Sequence, residues 1–276
     1  MPISLDVVVG SPEYEMDMKA GLDTLQGASD TTRIISETLL TGHVPERRTY
    51  KSSVRTTLRR SFKGSYGQIF RLDILDEDLK KEYRKIGSTA FTELISYFIN
   101  EALYIEQEDL SEKSQRIVEN LGDTADLLVR LLRKSPLRNV HEISTKFGYN
   151  VTLRHRKNYD NMVSLASFDQ QTSQAILAKR TDESLNFKAS IRRLNTNTGN
   201  GRLQLEGADE TVAFGFRSRY SDVDFATKKK FSENLDRNNG IDIDNWKYLD
   251  IKANPIKLPD GRVIKYIIKG FHDEDL

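Results

Sequence analysis

Residues 187–216 read FKASIRRLNTNTGNGRLQLEGADETVAFGF, and few arrangements accommodate such a stretch. Three runs alternate apolar and polar residues, and two short segments rich in glycine, asparagine and aspartate separate them. Alternation with a period of two puts one face of each strand inside and the other outside. Turns this short force consecutive strands to be antiparallel neighbours. Downstream, 246–253 and 263–271 are two more strand-like runs joined around PDG, an explicit turn signal. FATKKKFSENLDRNNG (225–240) reads as a short helix and loop between the two groups. The expectation is a five-stranded, partly closed antiparallel barrel over 187–271, with Ile191, Leu203, Leu205, Val212, Phe214 and Ile267 inward.

The first half of the chain reads differently. ISLDVVV (3–9) is a short run rich in β-branched residues, the pattern of a buried strand. Between 14 and 42, Met18, Leu22, Leu25, Ile34, Ile35, Leu39 and Leu40 recur at helical spacing, and Gly42 is a natural stop. Gly21 and Gly27 inside that pattern mark either a break or a close approach to a sheet. The runs 49–62 and 66–75 flank KGS and read as a hairpin, which with 3–9 makes a small three-stranded sheet carrying one helix. Two helices follow, over 76–107 and 111–136, with Ser111 as N-cap of the second and Pro136 as its end. The first carries Phe91, Ile95, Tyr97, Ile99, Tyr104 and Ile105 beyond its main apolar stripe, which predicts burial against a second copy or a partner protein. The stretch 160–185 carries no clear signal. The fold class is thus α+β: an N-terminal small antiparallel sheet with helices and a helical hairpin over 1–145, a connecting region over 146–186, and an OB-like barrel domain over 187–276.

Several function classes fall away on composition. The 276 residues include no cysteine, so there is no disulfide, thiolate nucleophile or cysteine-based zinc site. With 37% hydrophobic and 30% charged residues the chain is polar and globular. No apolar run approaches the roughly 18 residues of a membrane span, and the first residues carry no signal-peptide pattern. The expected location is the cytoplasm, away from membranes.

A net charge of +1 argues against coating nucleic acid through bulk charge, but the charge is unevenly placed. HVPERRTYKSSVRTTLRRSFKGS (43–65) sets Arg47, Arg48, Lys51, Arg55, Arg59, Arg60 and Lys63 against the single acid Glu46. Such a stretch is either a footprint for phosphates or an acidic protein surface, or simply the solvated face of a hairpin. In a regular strand Lys51, Arg55, Thr57 and Arg59 share one face and Val54 and Leu58 the other, which draws a line of positive charge along the hairpin.

KASIRRLNTNTGNGRLQL…ETVAFGF resembles the first three strands of the cold-shock domain, a member of the OB-like class. The similarity covers roughly thirty residues and is carried by Leu194, Asn195, Gly199, Gly201 and the Val212–Phe214–Phe216 run. In cold-shock domains the second strand bears exposed aromatics on which bases stack. Here that strand has Asn200, Arg202 and Gln204, so the resemblance implies a fold more than it implies nucleic-acid binding. The overall layout is also similar to that of bacterial proteins of no assigned activity, through Asp17, Leu22, Gly64–Ser65–Tyr66 and NTGNGRL. That similarity brings no catalytic residues with it.

Motifs for chemistry are sparse. His43, His141, His155 and His272 are scattered without metal-ligand spacing, no phosphate-binding loop precedes a helix, and no nucleophile elbow occurs. The one arrangement with catalytic character is GIDIDNWKYLDIKA (240–253). There Asp242, Asp250 and Lys252, with Asp244 beside them, are similar to the acids and lysine of metal-dependent nucleases. A surface strand of alternating charge accounts for the same residues. The expectations are therefore, in order, a non-enzymatic binding or adaptor protein of a bacterial multi-protein system, a sequence-independent DNA- or RNA-binding protein, and a nuclease. No cofactor and no metal are implied.

Overall fold

The computed structural model describes residues 3–12, 15–45, 52–62, 66–105, 110–158, 161–196 and 198–271. The chain divides into two compact units, Met1–Ile176 and Leu177–Leu276.

The first unit is built on a sheet whose centre is β1 (Ile3–Val9), flanked by β3 (Tyr66–Ile74) on one side and β4 (Val151–Arg156) on the other. The edges are β2 (Val54–Phe62) and β5 (Met162–Phe168), giving the all-antiparallel order β2-β3-β1-β4-β5. The sheet is larger than the three strands expected, because β4, from the stretch after 146, pairs onto β1 and β5 pairs onto β4. VTLRHR (151–156) supplies the alternation that such a strand requires, with Val151, Leu153 and His155 buried between half-buried residues.

Helices cover one face only. Along β1 the core takes Ile3, Leu5, Val7 and Val9, and from neighbouring strands Phe70, Leu72, Ile74, Val151, Leu153 and Phe168. Packed on them is α1 (Met18–Thr41), whose N-cap Asp17 accepts from the Ala20 amide at 2.8 Å and which ends on left-handed Gly42. Gly27 marks a close approach, to a helix rather than a sheet. A Cβ there would collide with the backbone of Asn139 and Val140 in α6 (Pro136–Val140).

The two long helices predicted over 76–107 and 111–136 are each broken. Gly87, at φ +82°, separates α2 (Glu77–Ile86) from α3 (Ser88–Leu103). Gly122, at φ +50°, separates α4 (Glu112–Leu121) from α5 (Asp123–Lys134). Both conformations lie where a side chain is strained, so each glycine turns the chain rather than sitting passively in a helix. The breaks let α3 lie between sheet and outer helices, and Phe91, Ile95 and Ile99 are fully buried. The apolar surplus that predicted an oligomer is therefore covered inside the unit. Tyr104 lies under the Arg133 guanidinium, 4.3 Å from its ring centre, and Ile105 alone of that group is exposed. The unit closes with α7 (Glu142–Phe147) and α8 (Gln170–Leu177). No helix among the described residues is long and apolar enough to cross a membrane.

The second unit is a five-stranded barrel, as expected, but it is closed rather than partly closed and includes one parallel pairing. The meander β7 (Leu185–Leu194), β8 (Gly201–Leu205) and β9 (Thr211–Phe216) is antiparallel throughout. β9 then pairs in parallel with β11 (Val263–Phe271), β11 pairs with β10 (Leu249–Lys257), and β10 returns to β7 and closes the ring. This is an OB-like barrel, with the two-residue strand β6 (Lys179–Arg180) appended to β10. Between β9 and β10, α9 (Phe225–Asn238) inserts Phe231 against Phe214 and Phe216. A bulge in β7 after Ile191 removes that amide from the ladder, and Asn234 of α9 accepts from it at 2.8 Å.

Ile191, Leu203 and Phe214 are fully buried as predicted, and Leu205 and Val212 are half-buried against the core. The prediction for Ile267 is corrected: Tyr266 and Ile268 point inward in its place. The run VIKYII has no clean alternation, and the irregularity at Ile264, opposite Ile256 and Lys257, shifts the phase by one.

Candidate nucleic-acid interface

The sheet face away from the helices contributes nothing to the apolar core. Cross-strand register identifies its occupants. From β2 come Arg55, Thr57, Arg60 and Phe62, paired with Asp73, Arg71, Ile69 and Gly67 of β3. From β1 come Ser4, Asp6 and Val8, and from β4 Thr152, Arg154 and Arg156. Five arginines (Arg55, Arg60, Arg71, Arg154 and Arg156) thus share a face with two aspartates.

Local chemistry orders this face from its centre outward. Asp6 is fully buried, yet its carboxylate has two cationic partners. Arg156 donates from Nε at 2.8 Å and from Nη2 at 2.7 Å, a two-pronged pair, and Arg154 Nη2 adds a longer contact at 3.3 Å. A buried carboxylate is tolerable only when paired in this way. Two guanidinium groups thus converge on one carboxylate at the centre of the face.

Beside this pair lies Phe62. Its ring occupies the place a Cβ would take at Gly67, its direct cross-strand partner, and glycine is required there for that reason. The guanidinium carbons of Arg156 and Arg154 sit 5.4 and 5.8 Å from the ring centre, within cation–π range. Toward the edge, Asp73 accepts from the Thr57 hydroxyl at 2.8 Å and pairs with Arg71. Arg55 and Arg60 on the edge strand are exposed to solvent.

The predicted line of charge is therefore realised with one exchange. The ladder slips between Leu58 and Arg60, leaving Arg59 as the extra residue of a bulge. Arg60, not Arg59, shares the face of Arg55 and Thr57, and the same slip brings Phe62 onto it. Arg59 is exposed within the bulge. Arg47, Arg48, Lys51 and Lys63 lie outside the described residues. The sequence reading missed Arg71, Arg154, Arg156 and Phe62. The RHRK tetrad (154–157) was the one signal for two of them, with arginines at the spacing that puts both on one strand face.

The remaining candidates are not assembled. Asp250 and Lys252 share the outward row of β10, between the inward Leu249, Ile251 and Ala253. Asp242 is exposed and precedes the single turn Ile243–Asn245 in the connection to that strand. Among the described residues no three His, Asp or Glu side chains gather into a group that could hold a metal ion. His141 is a packing residue: Nδ1 lies 2.6 Å from the Leu137 carbonyl and Nε2 3.0 Å from the Thr172 hydroxyl, and burial holds its pKa below the ordinary value. Burial, with Lys157 nearby, does the same to His155.

On the barrel, the outward positions of β8 and β9 are Arg202, Gln204, Thr211, Ala213 and Gly215, with no aromatic among them. Arg202 is tied to Thr211 by two hydrogen bonds at 2.7 Å, and Lys265 lies across Gly215 to reach Asn200 Oδ1 at 3.1 Å. Trp246 lies outside these strands, under the Arg192 guanidinium at 4.4 Å. No protein family, curated protein or solved structure matches the chain.

Proposed function

We propose that this protein is a nucleic-acid-binding protein without enzymatic activity, which holds the sugar–phosphate backbone by charge and without sequence selectivity. The observation that carries the reading is the sheet face on which five arginines stand against two aspartates, outside any apolar core. Guanidinium groups suit phosphates because their donors are planar, multiple and permanently charged. Contacts to backbone phosphates need no base readout, and arginines spread over three strands of the sheet fit a run of phosphates better than a single anion. The barrel's resemblance to cold-shock domains adds support at the level of fold alone. Assembly through the helices ranks lower, since Phe91, Ile95 and Ile99 are buried within their own unit.

The test is binding of labelled DNA and RNA oligonucleotides to the full chain at several salt concentrations. Affinity should fall steeply with salt, and each arginine removed from the face should lower the log–log slope by about one. Arg55→Glu with Arg60→Glu should abolish binding while the circular dichroism spectrum and melting temperature stay as in the parent. Both residues are exposed, so the substitution perturbs no core. A parent that binds neither polymer at low salt, or a double variant that binds as the parent does, ends this reading in favour of an adaptor.

A further inference from the structure

The same face contains a feature that charge alone does not call for, the aromatic ring set among its arginines. We propose that the ligand is single-stranded nucleic acid, with an unpaired base stacked at Phe62 and the flanking phosphates taken by Arg154 toward β4 and Arg60 toward the sheet edge. The proposal rests on the nucleic-acid reading above and narrows it.

Three observations support it. First, Phe62 is half-buried rather than enclosed, and belongs to neither apolar core. A phenylalanine on a polar sheet face among arginines offers a π surface that an unpaired base can cover. A duplex keeps its base faces stacked inside the helix and cannot use it. Second, the two arginines nearest the ring are held differently. Arg156 donates to Asp6 from Nε and from Nη2 and is 14% exposed, so it serves as a fixed positive wall beside the ring. Arg154 is 26% exposed, makes one long contact to the same carboxylate, and its Nε has no hydrogen-bond partner among the described residues. Arg154 is thus the one able to turn toward a phosphate. Third, the bulge at Arg59 places Arg60 and Phe62 on one face two residues apart, so an exposed arginine of the same edge strand is the ring's neighbour along β2. A base on Phe62 would have Arg60 of the edge strand and Arg154 of β4 in the neighbouring cross-strand row, two cations within reach of the phosphates beside it. Asp6 acts here as a positioning residue, fixing the two guanidinium groups beside the ring.

The experiment compares a labelled twelve-nucleotide single strand, as DNA and as RNA, with the duplex of the same sequence, using the full chain. The parent should prefer the single strand. Phe62→Leu should weaken single-strand binding by about tenfold, as loss of one stacked base does, and leave duplex binding and the salt slope unchanged. Phe62→Tyr should restore single-strand affinity, which a purely space-filling role at Gly67 does not require. Because Phe62→Leu could destabilise the hairpin, the parent is also crosslinked by light to an oligonucleotide carrying 5-iodouracil, and the modified residue is mapped by mass spectrometry. Attachment at Phe62 supports the proposal, and attachment only at other residues overturns it. Equal affinity for duplex and single strand, or a folded Phe62→Leu that binds the single strand as the parent does, overturns the proposal while leaving the electrostatic reading intact. Failure of the parent to bind any of the probes removes both.

Discussion

The first sheet is antiparallel throughout and the barrel is so except where β9 meets β11, and both carry arginine on outward strand positions, yet they dispose of those side chains differently. On the barrel, small outward residues at Ala213 and Gly215 leave a groove into which Lys265 folds, and Arg202 and Gln204 are bound to Thr211 and the Ala208 carbonyl. Its aromatic residues Phe214, Phe231 and Tyr266 are inside, because a narrow five-stranded core has few other sources of apolar area. The sheet draws its core from α1, α3 and α5 on one side, so its other side is released from packing and holds charge and an aromatic ring together. The barrel strands commit these polar side chains to one another, whereas Arg55 and Arg60 on the sheet's edge strand stay exposed. What decides is which polar groups are already committed to neighbours.

The contrast can be broken most forcefully at the centre of the sheet. Arg156→Ala leaves the buried Asp6 carboxylate with only the longer Arg154 contact, and should cost on the order of 3 kcal/mol in urea unfolding of the first unit. The barrel's transition should not move. A loss below about 1 kcal/mol would mean that water reaches Asp6 and that the pair does not organise the face.

A smaller effect should come with acid. His141 and His155 both have folded-state pKa values held below the ordinary 6.5, chiefly by burial, so unfolding takes up protons at each. Their contribution to stability is complete above about pH 6.5 and is lost as pH falls through the lowered folded values. The melting temperature of the first unit should therefore drop as pH falls below about 6.5, while the barrel, with no histidine over 185–271, should hold steady through the histidine range. His141→Asn should flatten the slope. A parent slope of zero in calorimetry would contradict the burial of both imidazoles.

The smallest expected effect is the control on the barrel. Arg202→Gln with Lys265→Gln should change oligonucleotide affinity by no more than about threefold, since both cations are engaged within the barrel and only long-range attraction is lost. A loss as large as that from the Arg55 and Arg60 reversal would erase the distinction between the two surfaces.

Much of the barrel was readable along the chain because its information is local. The meander 187–216 has its turns written in Gly199, Gly201 and Gly207, and the observed strands fall within a few residues of the predicted ones. The long helix after β1 was readable for the same reason, with Asp17 and Gly42 at its ends. The helix breaks at Gly87 and Gly122 were not, because a glycine inside a helical pattern looks the same whether its φ is negative or positive. The site was half legible. Arg55 and Arg60 stand in an obvious basic run, but nothing along the chain announces that Arg59 is displaced by a bulge.

Residue pattern by itself determined the α+β class, the barrel with its meander and final hairpin, the C-terminal end of α1 and the presence of a basic hairpin. Each follows from periodicity or turn chemistry acting over a few residues. Tertiary structure alone decided that β4 and β5 complete the first sheet, that α3 is interior, and that Arg154 and Arg156 stand beside Phe62 over a buried Asp6. Asp6 and Arg154 are 148 positions apart. Their meeting depends on a register between strands that no local pattern encodes, because pairing energy is realised only when the chain between them has folded.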